Sequence, residues 1–177
     1  MRNKLLIVAI LVGAGIGVWK VAQNRQSSRP NIANTEQLIS YACDEAIADA
    51  RKYDGVSLDY SVDSIKSVDT ILGRVHDSYA RDPKSVHVNG ISIEYGAYVG
   101  EVIRRNEPGA YWTKDSALGE KMYPLHWGAD EAFPVTWCSK RIINGDEDNI
   151  WVKYTALKEG LAKPTGKVNV PNSSKPH

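Results

Sequence analysis

The chain has 177 residues, with 22 Lys and Arg, 21 Asp and Glu and a formal net charge of +1. Five of the basic residues precede Pro30 while every acidic residue lies at or beyond Glu36, so the near-neutral total joins a tail of +5 to a remainder of about −4. An acidic remainder argues against a nucleic-acid partner, whose binder concentrates Lys and Arg on the folded part, and about 150 residues past the first apolar run suit one domain with one core.

Leu5 to Val21 is an apolar run broken only by Lys20 and preceded by Arg2 and Lys4. A spanning helix needs about 20 predominantly apolar residues, with a lower limit near 17, so residues 1–23 are expected to form one uncleaved N-terminal transmembrane helix. A cleaved signal shares the charged start and apolar core, but WKVAQNRQ after the run offers no small-x-small site. Basic residues flank both ends. Arg2, Lys4 and the start amine are the more compact set, which favours a cytoplasmic start and a domain on the periplasmic side of an inner membrane. Gly13 and Gly17 form a GxxxG pair that permits helix association and a homodimer.

Residues 24–33 are polar, contain Pro30 and read as a linker. At the far end 162–177 carries three prolines and little apolar bulk, which predicts a flexible tail. A single domain then occupies 34–161. Its first helix is expected over Thr35 to Tyr53, with Asn34 as cap, Gln37 at capping-box spacing, and Ile39, Cys43, Ala46, Ala50 and Tyr53 as the apolar stripe. Asp54-Gly55 ends it. Leu58-Asp59-Tyr60 reads as extended, Ser61 or Asp59 as a cap, and Ile65, Val68, Leu72, Val75 and Tyr79 as the stripe of a second helix. Asp69 borders that stripe, where a carboxylate ordinarily partners a basic side chain or caps a neighbour.

After a turn at Arg81 to Lys84, a third helix is expected over Ile91 to Arg105, with Ile91, Tyr95, Tyr98 and Val102 facing the core. Gly96 and Gly100 share one face of it. Each costs up to about 1 kcal/mol relative to Ala, which close approach of another backbone would offset. From Asn106 the texture becomes short and aromatic. AYWT and KMYPLHWG read as strands, the latter with a proline that favours an edge. Phe133 to Cys138 begins either a strand or, with Pro134 in a first turn, a short helix to Ile143. A last helix is expected over Ile150 to Leu161 with Asp148 as cap. The class is α+β, several helices packed on a small antiparallel sheet and preceded by the transmembrane helix.

Motifs for chemistry are sparse. His76, His87, His126 and His177 have no metal-ligand spacing, and no phosphate-cradling loop or nucleophile elbow occurs. Cys43 and Cys138 would close a long-range disulfide in an exported domain or sit as buried small hydrophobes in a reducing one. Glu94 and Glu101 are two helical turns, about 10.5 Å, apart. The simpler reading turns both outward, with Glu101 paired to Arg104 or Arg105. Four tryptophans (Trp112, Trp127, Trp137, Trp151) fall within 40 residues, mixed with Asp115, Glu120, Asp130 and Glu131. They either complete the core of the sheet or leave an acidic, aromatic recognition face exposed.

LDYSVDSIKSVDTIL (Leu58 to Leu72), GAYVGEVIRRN (Gly96 to Asn106) and FPVTWCSKRIINGDEDNI (Phe133 to Ile150) together resemble an uncharacterised bacterial family of unknown function. That family has an LDYS and Asp-bearing helix, a GAYxGEVIRR helix and a Trp-containing strand. The resemblance spans Val56 to Leu157 and picks out Asp59, Ser61, Asp69, Gly96, Gly100, Glu101 and Trp112. It implies domain bounds and no activity, and EPGAY stands where the family has a glycine run before the tryptophan.

Together these features suggest a membrane-tethered protein-binding module of the bacterial envelope, with an immunity-type inhibitor of a toxin as one form. Its binding residues would be Glu94, Glu101, Trp112, Trp127 and Trp137, with a protein partner, the membrane, no nucleic acid, no cofactor and no metal. The alternatives are a hydrolase acting on an envelope polymer, with Asp69 and Glu101 as catalytic candidates, and a structural accessory protein. No catalytic set is legible, so an enzyme is the lesser expectation.

Overall fold

The computed structural model describes residues 34–119 and 122–162. Asn34 caps helix α1 (Thr35–Asp49), its side chain accepting the Gln37 N–H at 2.8 Å, and the helix buries Ile39, Ala42, Cys43 and Ala46. The expected helix continues beyond Asp49 as a wider π-helical turn, Ala50–Asp54, closed by Gly55 in the left-handed region at φ 66. Only glycine adopts that conformation without steric cost.

Helix α2 (Ser64–Arg81) buries Ile65, Val68, Ile71, Leu72 and Val75. Ahead of it Asp59 accepts the Ser61 N–H at 2.9 Å, a local turn that brings the chain into the helix. The Leu58 to Tyr60 stretch departs from the extended expectation at Tyr60, whose φ is +61. After Asp82 and a 3-10 turn, Pro83–Ser85, helix α3 (Val88–Asn106) begins three residues earlier than its apolar stripe suggested. Every residue from Tyr95 to Ile103 is buried, so α3 is the central helix of the domain, covered on more than one side. It packs against α1 and α2, and against α4 (Pro134–Asn144), which starts on Pro134 and settles the strand-or-helix ambiguity there.

The glycine pair explains how α4 and the sheet come so close to α3. A Cβ on Gly96 would lie 2.5 Å from Val135 Cα and 2.7 Å from its nitrogen, and one on Gly100 would lie 2.1 Å from the Trp112 ring. Backbone approach is the reason at the first position and an indole is the reason at the second.

Strands β1 (Tyr111–Trp112), β2 (Leu125–Trp127) and β3 (Asp130–Ala132) form an antiparallel sheet in the order β1-β2-β3, with Tyr111 opposite His126 and His126 opposite Glu131. Contrary to the expected edge position, β2 is the middle strand. Pro124 precedes it, so the missing N–H is outside the ladder, and its carbonyl accepts Thr113 N–H at 3.1 Å. The sheet is too short to serve as a platform. Leu125, Trp127 and Ala132 join the core from its side, while the helices pack chiefly on one another.

Helix α5 (Ile150–Ala162) packs on α2 and α4. Its cap is Asn149, which accepts Val152 N–H at 2.9 Å, and not Asp148, which is paired to Lys153 and accepts from Asn144. Asp69 supplies the second capping acceptor. Its Oδ1 takes the Ile150 N–H at 2.8 Å and Arg141 Nε at 3.0 Å, and its Oδ2 takes Asn149 Nδ2 at 2.8 Å. One carboxylate thereby ties α2, α4 and α5 together.

The expectation of a fold preceded by a transmembrane helix is corrected. Among the described residues no helix is long and apolar enough to cross a membrane, because charged residues interrupt each helix well before about 18 apolar positions accumulate. Residues 1–23, on which the anchor and the Gly13/Gly17 homodimer were read, lie outside the described residues, as do the linker at 24–33 and the tail from 163. Among the described residues the architecture is five packed α-helices with a three-stranded antiparallel sheet. No helix among the described residues supports the inner-membrane, periplasmic placement or the membrane as partner.

Candidate functional site

The N-terminal half of α1, Tyr60, the end of α3 and strand β1 with its flanking residues line a cleft of about 770 Å³. Glu101 organises it. Its Oε1 accepts Arg104 Nε at 2.6 Å and Trp112 Nε1 at 2.9 Å, while Oε2 accepts Arg104 Nη2 at 2.9 Å and Arg105 Nε at 3.2 Å. Helical spacing brings both arginines back onto one carboxylate, at i+3 and i+4. Burial by itself pushes the Glu101 carboxyl up, but the hydrogen bonds from Arg104, Trp112 and Arg105 outweigh it and hold the group below the usual carboxylate range. The expected pairing is therefore present, but the outward orientation is not: Glu101 is 7% exposed.

The arginines remain open to the cleft. Their side chains are 42% and 44% exposed. Glu101 takes the Nε–Nη2 edge of Arg104 and only Nε of Arg105, so Nη1 of Arg104 and both Nη atoms of Arg105 are outside this pairing. A guanidinium carries five N–H donors, which leaves several for another acceptor. Lys114, two residues past β1, also lines the cleft, and with Glu36 the charged lining is three cations against two carboxylates. This corner is net positive in an acidic domain.

Tyr60 forms part of the same wall in an unusual conformation. A bulky residue at φ +61 is strained and persists only when its surroundings hold it. Here the Tyr60 N–H donates to Tyr98 Oη at 2.8 Å, its carbonyl accepts Asn106 Nδ2 at 2.9 Å, its ring stacks on Tyr98 at 4.9 Å, and the Arg105 guanidinium sits 3.5 Å over the ring centroid. The strained residue thus sets the position of Arg105. Strain of this kind clusters at ligand clamps.

Cys43 lines the cleft from α1. Burial first, and the Glu101 charge second, push its thiol up to about 12, so it is a protonated, inert group rather than a nucleophile. Cys138 is likewise buried, and both cysteines are free.

Of the residues the sequence singled out, Glu101 and Trp112 meet in this cleft. Glu94 is half-buried elsewhere on α3. Trp127 is 7% exposed and stacked over Tyr154 at 6.1 Å, and Trp137 packs against the core from α4. Asp69 belongs to the interhelical network described above and shares no partner with Glu101. His126 faces Thr113 at 2.9 Å and Glu131 at 3.5 Å, and His76 Nδ1 lies 2.9 Å from the Ile142 carbonyl. Among the described residues no group of three or more His, Cys, Asp or Glu could hold a metal ion. Tyr60 and Lys114 were not anticipated as site residues, and Arg104 and Arg105 were seen only as partners of Glu101. The paired arginines closing a helix were the one available signal.

These placements correct the functional expectation. A membrane-tethered envelope module, immunity-type or otherwise, rested on the anchor and on an exposed aromatic face. No spanning helix occurs among the described residues, and Trp112, Trp127, Trp137 and Trp151 all pack on or within the core. The hydrolase alternative needed Asp69 and Glu101 to converge, and each is saturated in a separate network. No family model, no curated protein and no solved structure matches the chain.

Proposed function

We propose that the chain is a binding domain for a small anionic ligand, seated in the cleft between α1, α3 and β1. The observation that carries this reading is the convergence of Arg104, Arg105 and Lys114 on one cleft, with the two guanidiniums held by Glu101 and Tyr60 and their outer Nη donors open among the described residues. A preorganised guanidinium suits carboxylate and phosphate oxygens, because little side-chain freedom remains to be lost on binding. Binding is favoured over turnover by the state of the other groups. The Glu101 carboxylate accepts from three side chains, and the Cys43 thiol is held protonated. Of the positions that the family resemblance picks out, Glu101 and Trp112 line this cleft, and the Trp112 indole packs over Gly100.

The test is calorimetric titration of the full-length chain with inorganic phosphate and with acetate at low and high salt. Saturable, salt-weakened binding is expected for at least one of them. K114A should weaken it severalfold and R104A/R105A should abolish it. Absence of binding to either anion, or unchanged affinity in both variants, would refute the proposal.

A further inference from the structure

Resting on that reading, we infer that the ligand carries an amino group as well as a carboxylate, as amino acids do, and that Glu36 is the residue that receives its ammonium end. The charged lining of the cleft is divided by element. Arg104 and Arg105 come from the end of α3 and Lys114 from just past β1, while α1 brings no Lys or Arg and contributes one carboxylate, Glu36. The two carboxylates of the lining are not equivalent. Glu101 is buried and spent on Arg104, Arg105 and Trp112. Glu36 is exposed in the first turn of α1, and among the described residues it makes no hydrogen bond or ion pair. Its charge nevertheless reaches the cations. The Arg104 guanidinium is pushed up by its hydrogen bond to Glu101 first and by the Glu36 charge to a lesser degree. Glu36 therefore stands near Arg104 without bonding to it, an uncommitted acceptor close to open donors.

A simple carboxylate would use those donors and meet repulsion from Glu36. A simple ammonium would be received by Glu36 and repelled by the three cations. A ligand that holds both charges finds an opposite charge for each, and so turns the one unfavourable charge in the lining into a contact. Ser40 lines the cleft one helical turn beyond Glu36, on the same side of α1, and its hydroxyl supplies a further acceptor for a group with three N–H donors. The cleft volume of about 770 Å³ is ample for such a molecule.

The test compares amino acids with carboxylates in which a methyl group replaces the ammonium: glycine with propanoate, 4-aminobutanoate with pentanoate, and 6-aminohexanoate with heptanoate, each titrated into the full-length chain at low salt. At least one amino acid is expected to bind roughly twofold to fivefold more tightly than its methyl counterpart, the range of a single solvent-accessible ion pair. In E36Q that preference should vanish, and the methyl counterparts should bind more tightly than they do to the parent because a like charge is gone. E159Q removes the same charge at an exposed position of α5 outside the cleft, and should keep the preference. Carboxylates that bind the parent with no amino acid preferred would overturn the inference and leave the anion-binding reading intact, as would binding of phosphate with no carboxylate of either kind. A preference that survives in E36Q would also overturn it, reducing Glu36 to an ordinary first-turn carboxylate, and so would a preference lost equally in E159Q, which would trace it to net charge. Failure of every carboxylate, and of phosphate, to bind would remove both readings.

Discussion

Asp69→Ala should be among the most damaging single substitutions in the domain. The Asp69 side chain is 11% exposed and its partner Arg141 5% exposed, and the carboxylate accepts three hydrogen bonds, from Arg141, Asn149 and the Ile150 N–H. Alanine leaves a buried guanidinium whose other acidic contact, Asp146 at 2.8 Å, is 95% exposed and screened by water. Breaking a buried ion pair from one side costs about 3–5 kcal/mol, and removing a helix-capping acceptor costs about 1 kcal/mol more. Against a total stability of about 5–15 kcal/mol, a loss near 4 kcal/mol would move the melting temperature down by roughly 10–20 °C. Urea unfolding of the full-length chain followed by circular dichroism measures it. The double variant D69A/R141M removes both charges together and should recover at least about 2 kcal/mol relative to the sum of the single variants. A D69A chain within about 1 kcal/mol of the parent, or strict additivity across the cycle, would show that the carboxylate is not the tie between α2, α4 and α5.

Glycine substitutions separate packing from propensity. G96A drives a methyl group into the Val135 backbone and should cost about 1–3 kcal/mol, whereas G160A, with nothing within 4 Å, should gain up to about 1 kcal/mol of helix propensity; both are read from the urea midpoint. Acid stability should depend on Glu101. Its folded carboxyl lies below the ordinary value, so its contribution is complete above the unfolded value of about 4.3 and is lost as pH falls through the lower folded value. E101Q, weaker than the parent at neutral pH, should lose less further stability on acidification to about pH 3. Thiol titration should find Cys43 and Cys138 unreactive in the native chain at mildly alkaline pH and both reactive in denaturant, because each is buried with its thiol raised. Rapid native labelling of either would contradict that burial.

Local chemistry was sufficient to place most of the helices. Asn34 and the apolar spacings of the second and last helices act over one or two turns, and α1, α2 and α5 lie near where those signals put them, whereas Pro134 suited either a strand or a first helical turn until packing on α3 chose the helix. The glycine pair on α3 was also legible as a close contact, since two weak helix formers on one face need a partner to offset them. Its neighbours were not: Val135 and Trp112 reach Gly96 and Gly100 from distant parts of the chain.

The cleft was decided by tertiary structure alone. The spacing of Glu101, Arg104 and Arg105 predicted an ion pair and could not say that it would be roofed by Trp112, propped by a left-handed Tyr60 and opened toward Lys114. Periodicity reports which side of a helix is apolar, and α3 is buried beyond that side because α1, α2 and α4 surround it. Asp69 makes the same point from the other direction. Sequence assigned it a partner or a cap, and the fold chose Arg141 and Ile150, 72 and 81 residues away, because only the packed arrangement of three helices sets those groups around one carboxylate.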